Sequence, residues 1–362
     1  MKFLDREKEK RELKAILSGE PDVVYFVYGP INSGKTALLM QIFEELSEDY
    51  RVFYINFRGV ETRKYEDFVR AMFQPRDESF WERLAKKADL IKAALEYAEK
   101  LLEKVNFKFE VPSRLIKEFF QPQESKRDVF GYLEVLMKEL NKKGIKPVLV
   151  LDELQVIREI KKNGSVIHDL FNFLVRMTKE THLCHSLCAT SDCLFIEEIY
   201  TSARLEGRAR YVLVDDLDRE RAYKVYEELG IEDKELVWNY VGGKFGDILG
   251  VLSYKRRGYS EREAVEEMVR IEAGRLKHLK LFRLADTEMR EEIWEVLKIF
   301  CEKEVCRGKE AEKVLKKGIF WIRENVLFYD PVRGEVRPQG RIIWKAIKRE
   351  IREEEGNVAS CA

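Results

Sequence analysis

The sequence predicts an α/β protein: a parallel sheet with helices on both faces, followed by helices alone and then by helices with a hairpin. Three observations predict it. Short, continuous apolar runs such as "DVVYFVYG" and "KPVLVLDE" read as strands buried on both faces. Between them lie segments with helical apolar spacing, such as "EKEKRELKAIL" and "GKTALLMQIFEEL". From Asp218 onward the strand-like runs stop, until two short ones reappear around "DPVRGE".

In chain order, a helix over "EKEKRELKAIL" precedes the first strand, and "RVFYINF" is the second strand. Residues 74–130, with "SFWERLAKKADLIKAALEYAEKLLEKV", read as a helical insertion before the third strand, "KPVLVLDE". A helix at about 166–180 leads to "HLCHSLCATS", and "ARYVLVD" closes the sheet. "DRERAYKVYEEL", "DKELVWNYV" and "SEREAVEEMVRIEAGRL" are helices, with "GGKFG" a turn between two of them. A second boundary falls near 276–285; beyond it come a helix at about 287–302, a hairpin and a basic closing helix, the pattern of a winged helix. The expected divisions are a core at 1–217, a helical lid at 218–280 and a winged-helix-like end at 281–362.

The chain has 362 residues, enough for two or three domains. Charged residues reach 36%, but 66 basic and 66 acidic residues cancel, so net charge neither favours nor excludes nucleic acid. No apolar stretch approaches the roughly 18 residues of a membrane span, and "MKFLDREKEK" is no signal peptide. The expectation is a cytoplasmic protein without a membrane partner. Its six cysteines need not be bridged there.

The first strand runs into Gly29-Pro30-Ile31-Asn32-Ser33-Gly34-Lys35-Thr36, a full match to G-x-x-x-x-G-K-[ST]. The glycines let successive N–H groups turn inward toward phosphate oxygens. The helix that follows adds its positive end. Lys35 is expected on the β- and γ-phosphates and Thr36 on Mg²⁺, so residues 29–36 and Ala37 are the candidate nucleotide cradle. The predicted class is therefore a P-loop NTPase with ATP or ADP and Mg²⁺ as ligands.

Such a loop needs a metal-binding acid on a neighbouring strand, and "PVLVLDELQ" delivers Asp152 and Glu153 at a strand's carboxyl end, where ligands sit in parallel sheets. Asp152 is expected to hold Mg²⁺ and Glu153 to polarise the attacking water. The next strand ends "CATSD", and a polar side chain there is expected between the acids and the γ-phosphate: Ser191 first, Thr190 as the alternative. An arginine would complete the site. "SARLEGRARYVLVD" offers Arg204, Arg208 and Arg210, with Arg208 preferred, acting in its own chain or on a neighbour in an oligomer.

These residues resemble the archaeal ATPase family, a P-loop group near the AAA+ and STAND NTPases. "FLDREKE" is similar to that family's N-terminal signature, which implies that Asp5 and Arg6 lie near the adenine. Asp152-Glu153-Leu154-Gln155 and "LEGRARYVLVDDL" resemble its acidic strand and its last-strand segment. "VGGKFGDI" resembles its G-G-x-P-G lid turn, with Phe245 in the usual proline position. The resemblance implies ATP binding and hydrolysis, with a winged helix after the lid.

Three further patterns stand beside these motifs. His182, Cys184, His185, Cys188 and Cys193 invite a zinc reading, but strand alternation sends successive side chains to opposite faces. Cys301 and Cys306, five apart, share no helical face. The closing stretch concentrates Arg333, Arg337, Arg341, Lys345, Lys348, Arg349 and Arg352, which suits a double-stranded DNA backbone or a protein partner. Two roles follow from this: a DNA-associated motor or loader, and a slow signalling switch with a protein partner.

Overall fold

The computed structural model describes residues 6–59, 67–68, 71–72, 129–160, 166–203, 205–284 and 288–360. The insertion expected at 74–130 lies outside the described residues except for its last two positions, as do Asp5, Arg204 and Cys361.

Strands β1 (Val24–Tyr28), β2 (Tyr50–Asn56), β3 (Lys146–Asp152), β4 (His185–Thr190) and β5 (Ala209–Leu213) form one parallel sheet in the order β2-β3-β4-β1-β5. Their apolar runs divide between two faces by simple alternation. Val24, Phe26 and Tyr28 of β1 enter one core, while Tyr25 and Val27 enter the other. Leu149 and Leu151 of β3 are separated in the same way from Val148 and Val150. Helices Glu7–Ser18 and Lys35–Glu44 cover the second face through Leu13, Leu17, Leu38, Leu39 and Ile42. Helices Val129–Lys142, Val166–Val175 and Cys193–Tyr200 cover the first.

Sequence-encoded caps start the later helices. Asp192, Asp218 and Asp233 each accept the backbone N–H three residues on, at 2.9–3.0 Å, which satisfies a donor the helix cannot. Ser260 and Glu263 form a reciprocal capping box at the head of helix Glu261–His278. That helix packs on helix Phe245–Arg256 and along the closing helix, Arg341–Ser360, where Lys277 meets Glu350 at 3.4 Å and Glu353 at 3.0 Å. It thus bridges the expected lid and the C-terminal end.

The hairpin expected around "DPVRGE" is β7 (Leu327–Asp330) with β8 (Glu335–Pro338). A two-residue strand, β6 (Cys306–Arg307), pairs antiparallel with β8 and was not foreseen. The helix expected at 287–302 is broken into Arg290–Glu295 and Ile299–Glu302 by a tight turn at 296–298. Trp294, Val296, Leu297 and Phe300 all enter the core across this break, more than one straight helical stripe would supply. No helix among the described residues is long and apolar enough to cross a membrane.

Candidate functional site

The phosphate loop leaves β1 at Gly29, where a Cβ would stand 2.2 Å from the Val214 carbonyl oxygen, so only glycine permits the close approach of β5's exit. Gly34, at φ +94°, turns the chain into helix Lys35–Glu44. Lys35 is buried, and its Nζ donates to the carbonyls of Gly29 (3.0 Å) and Pro30 (2.8 Å). Burial first, and then the neighbouring Lys244 ammonium, hold the Lys35 amine down to about 8. The Ser33 hydroxyl is buried without a partner, the kind of unmet polar atom a bound anion would engage. Arg6 bolts the first helix to this loop, donating to the Ser33 carbonyl (2.7 Å) and pairing with Glu9 (3.0 Å).

The acidic side meets the loop at Thr36, whose hydroxyl donates to Asp152 Oδ2 at 2.8 Å; the Tyr54 hydroxyl donates to the same oxygen at 2.6 Å. The strand carrying Asp152 is not the immediate neighbour expected from sequence: β4 lies between β1 and β3. Glu153 follows in the left-handed region at φ 58°, ψ 41°, unusual for a non-glycine residue and of the kind found at functional turns. Both its oxygens are engaged, Oε1 by Arg58 (2.7 Å) and Oε2 by the Gln155 amide (2.7 Å). Gln155 in turn accepts from the Thr190 hydroxyl at 2.7 Å, so a polar chain runs from the Glu153 carboxylate to the tip of β4. Thr190, the alternative, makes this bond to Gln155; Ser191, the first choice, sits one residue beyond, half-buried.

The turn at 242–246 and the end of the C-terminal hairpin contact the loop. The Gly246 N–H donates to the Asn32 carbonyl (3.1 Å), and the Leu217 N–H to the Gly243 carbonyl (2.9 Å). The side chain of Gln339, buried at the end of β8, accepts from the Ile31 N–H at 3.2 Å. The Tyr28 hydroxyl at the end of β1 donates to Asp330 at 2.9 Å, which also accepts the N–H groups of Val332 (3.0 Å) and Arg333 (3.1 Å). Arg337 of β8 forms a hydrogen-bonded ion pair with Asp215 and lies 3.7 Å from Asp216. Sequence reading passed over Lys244, Gln339, Arg58 and the Asp215–Arg337 pair. Lys244 lay in a stretch read as a turn, Asp215 at the end of the last sheet strand's segment, and Arg337 and Gln339 in the basic closing stretch; Arg58 lay in none.

Arg208 is not brought to the phosphates of its own chain. Its carbonyl accepts from the Val24 N–H at the start of β1, so it stands at the sheet's entry edge, while the loop follows the exit edge. Parallel pairing puts the residues preceding both strands on one side, about 16 Å of strand from the loop. The basic closing stretch is largely committed within the molecule. Besides Arg337, Arg341 lies over the Trp238 ring and donates to its carbonyl (3.1 Å), and Arg349 pairs with Glu353 (2.8 Å). Lys345 and Lys348 lie over the rings of Tyr240 and Trp344. Cys184 and Cys188 share the apolar core of one sheet face, and burial pushes the Cys184 thiol up to about 12.

Comparison with known proteins gives the family and the fold. A family model for an ATPase domain predominantly from Archaea matches residues 3–251, and one for the C-terminal domain of MJ1010-like ATP-binding proteins matches 262–351. An uncharacterized ATP-binding protein of Methanocaldococcus jannaschii is 41% identical over 361 residues, spanning 96% of this chain and 98% of its own. Among solved structures, a Walker-type ATPase of Pyrococcus abyssi matches at a TM-score of 0.60 and 14% identity, over 96% of each chain. The Aeropyrum pernix ORC2 protein, in its ADPNP–ADP complexes, matches at 0.50 and 12% identity, over 97% of this chain and 93% of its own. At such identities the two structures speak for the fold.

Proposed function

This chain belongs to the family of ATPase domains found predominantly in Archaea, and on that premise we propose a Mg²⁺-dependent ATPase whose nucleotide state governs how its lid and C-terminal hairpin seat on the phosphate loop. The observation that carries this reading is the convergence of Lys35, Thr36, Asp152 and Glu153 at the exit edge of the sheet.

Residues 29–37 cradle the phosphates, and Lys35 exchanges its two carbonyl acceptors for phosphate oxygens. Thr36 and Asp152 present adjacent hard oxygens, a donor set suited to Mg²⁺. The metal, when bound, neutralises charge on the phosphates. Glu153 takes the proton of the attacking water, with Arg58 and Gln155 fixing its orientation. Arg6, near the loop's outer side, steadies Ser33.

We divide the molecule functionally as core 1–217, lid 218–280 and winged-helix-like end 281–362. Gly246 and Gln339 touch loop residues directly, so a change in what the loop holds alters the seat of both parts. The internal commitment of Arg337 and Arg341 favours a switch answering to a protein partner over a grip on DNA. Steady-state ATP turnover, with and without double-stranded DNA, tests this. We expect slow, DNA-indifferent turnover that Glu153→Gln abolishes while ATP binding persists. Turnover undiminished in Glu153→Gln would refute the catalytic assignment, and strong stimulation by DNA would refute the switch.

A further inference from the structure

Lys244 lies in the Gly-Gly-Lys-Phe-Gly turn of the lid and is 5% exposed. Its Nζ has no hydrogen-bond partner, an expensive condition for a buried ammonium with three donors. Its counter-charge is Asp216 Oδ1 at 3.7 Å, beyond hydrogen-bond reach, and that oxygen is itself unpartnered. The two groups face each other without closing.

The surroundings fix where this amine can go. Behind it, the C-terminal hairpin presses on the stem: a Cβ at Gly340 would stand 2.7 Å from Lys244 Cδ. Two residues on, Gly246 is packed so tightly on the phosphate loop that its own Cβ would stand 2.6 Å from that of Asn32. The turn therefore rests on the rim of the nucleotide cradle. Lys244 and Lys35 feel each other there: after burial, the charge of Lys244 is the largest influence lowering the Lys35 amine. Two ammonium groups together in a buried pocket are costly unless an anion joins them.

We propose that Lys244 is a second phosphate-binding lysine, supplied by the lid, which with Lys35 grips the terminal phosphates of a nucleoside di- or triphosphate. This rests on the ATP-binding reading given above. It would engage phosphate by leaving Asp216, so Asp216 Oδ1 acts as a placeholder for the anion. Adenosine monophosphate, lacking those phosphates, would not recruit it.

The test is calorimetric titration of the full chain with ATP, ADP and AMP in Mg²⁺, comparing the wild type with Lys35→Ala, Lys244→Met and Asp216→Asn. Lys244→Met is expected to weaken ATP and ADP about tenfold or more while leaving AMP unchanged, the size of a lost charge-assisted hydrogen bond. Wild-type ATP affinity in Lys244→Met, with Lys35→Ala impaired, would overturn the proposal and leave the ATP reading standing. Failure of the wild type to bind ATP would overturn that reading itself. If Lys244→Met does not fold, Asp216→Asn decides: tighter ATP binding, from loss of the competing carboxylate, supports the role, and unchanged or weaker binding overturns it.

Discussion

Gly243→Ala should unseat the turn at 242–246 from the phosphate loop. A Cβ at this position would lie 1.7 Å from the Leu217 carbonyl oxygen, against the 3.0 Å below which real contacts essentially never fall, so something must move by about 3.0 − 1.7 = 1.3 Å. Both atoms are tied to backbone, and neither can rotate away. A shift of that size breaks the Leu217–Gly243 bond (2.9 Å) and strains the Gly246–Asn32 bond (3.1 Å) on the same turn. Two backbone hydrogen bonds at about 1 kcal/mol each, with about 1–3 kcal/mol of overpacking, give a loss of roughly 3–5 kcal/mol. Urea unfolding and ATP titration measure both consequences. The control is Gly274→Ala, in mid-helix with nothing within 4 Å of its Cβ, which should gain roughly 0.5–1 kcal/mol. Wild-type stability and ATP affinity in Gly243→Ala would refute the steric argument.

Arg58→Ala removes one of the two contacts that orient Glu153, an ion pair worth about 0.2–1 kcal/mol, so kcat should fall by at most about fivefold; an unchanged or higher kcat would show that Arg58 does not orient the base. Tyr28→Phe should cost about 1 kcal/mol, because Asp330 keeps its two turn N–H donors, whereas Asp330→Ala strands the buried hydroxyl and both donors and should cost about 3 kcal/mol. Equal losses in urea unfolding would contradict that pairing. Asp247 is raised to about 7, chiefly by burial, with Asp216 and Glu272 adding and Lys244 opposing. A raised carboxyl favours the native state below the unfolded value and loses that contribution as pH rises through about 7. Stability should therefore fall by about 1–2 kcal/mol between pH 5 and 8, after discounting for Asp247's partial exposure. Asp247→Asn should flatten that slope in urea titrations at each pH.

What the sequence made legible was local. Gly29 to Thr36 carry their meaning in spacing alone, and the apolar runs of β1, β3 and β4 are long enough to declare strands. What it hid was relational. Strand order set β4 between the loop and the acids, a fact no run of residues contains. The edge of the sheet at which Arg208 stands follows from the parallel pairing of β5 with β1. The bond from Thr190 to Gln155 joins residues 35 apart, which no local pattern announces. Arg337 read as free charge because its partner, Asp215, is 122 residues upstream. β6, at two residues, is too short for any pattern.

The two cores described above finish at different times during synthesis. Among the described residues, every buried member of the smaller one lies between Leu13 and Val214, so a nascent chain emerged to that point holds all it needs for that face. The core on the other face belongs to a connected cluster that continues through the later helices to Ile351. Phe26, made near the start, meets Phe171 and Tyr211 within the span to Val214, whereas the Tyr28 hydroxyl waits for Asp330. A truncation after β5 would keep those ring contacts but leave the later part of the cluster unmade, and a half-made chain would present that part to chaperones for as long as the remaining length takes to translate.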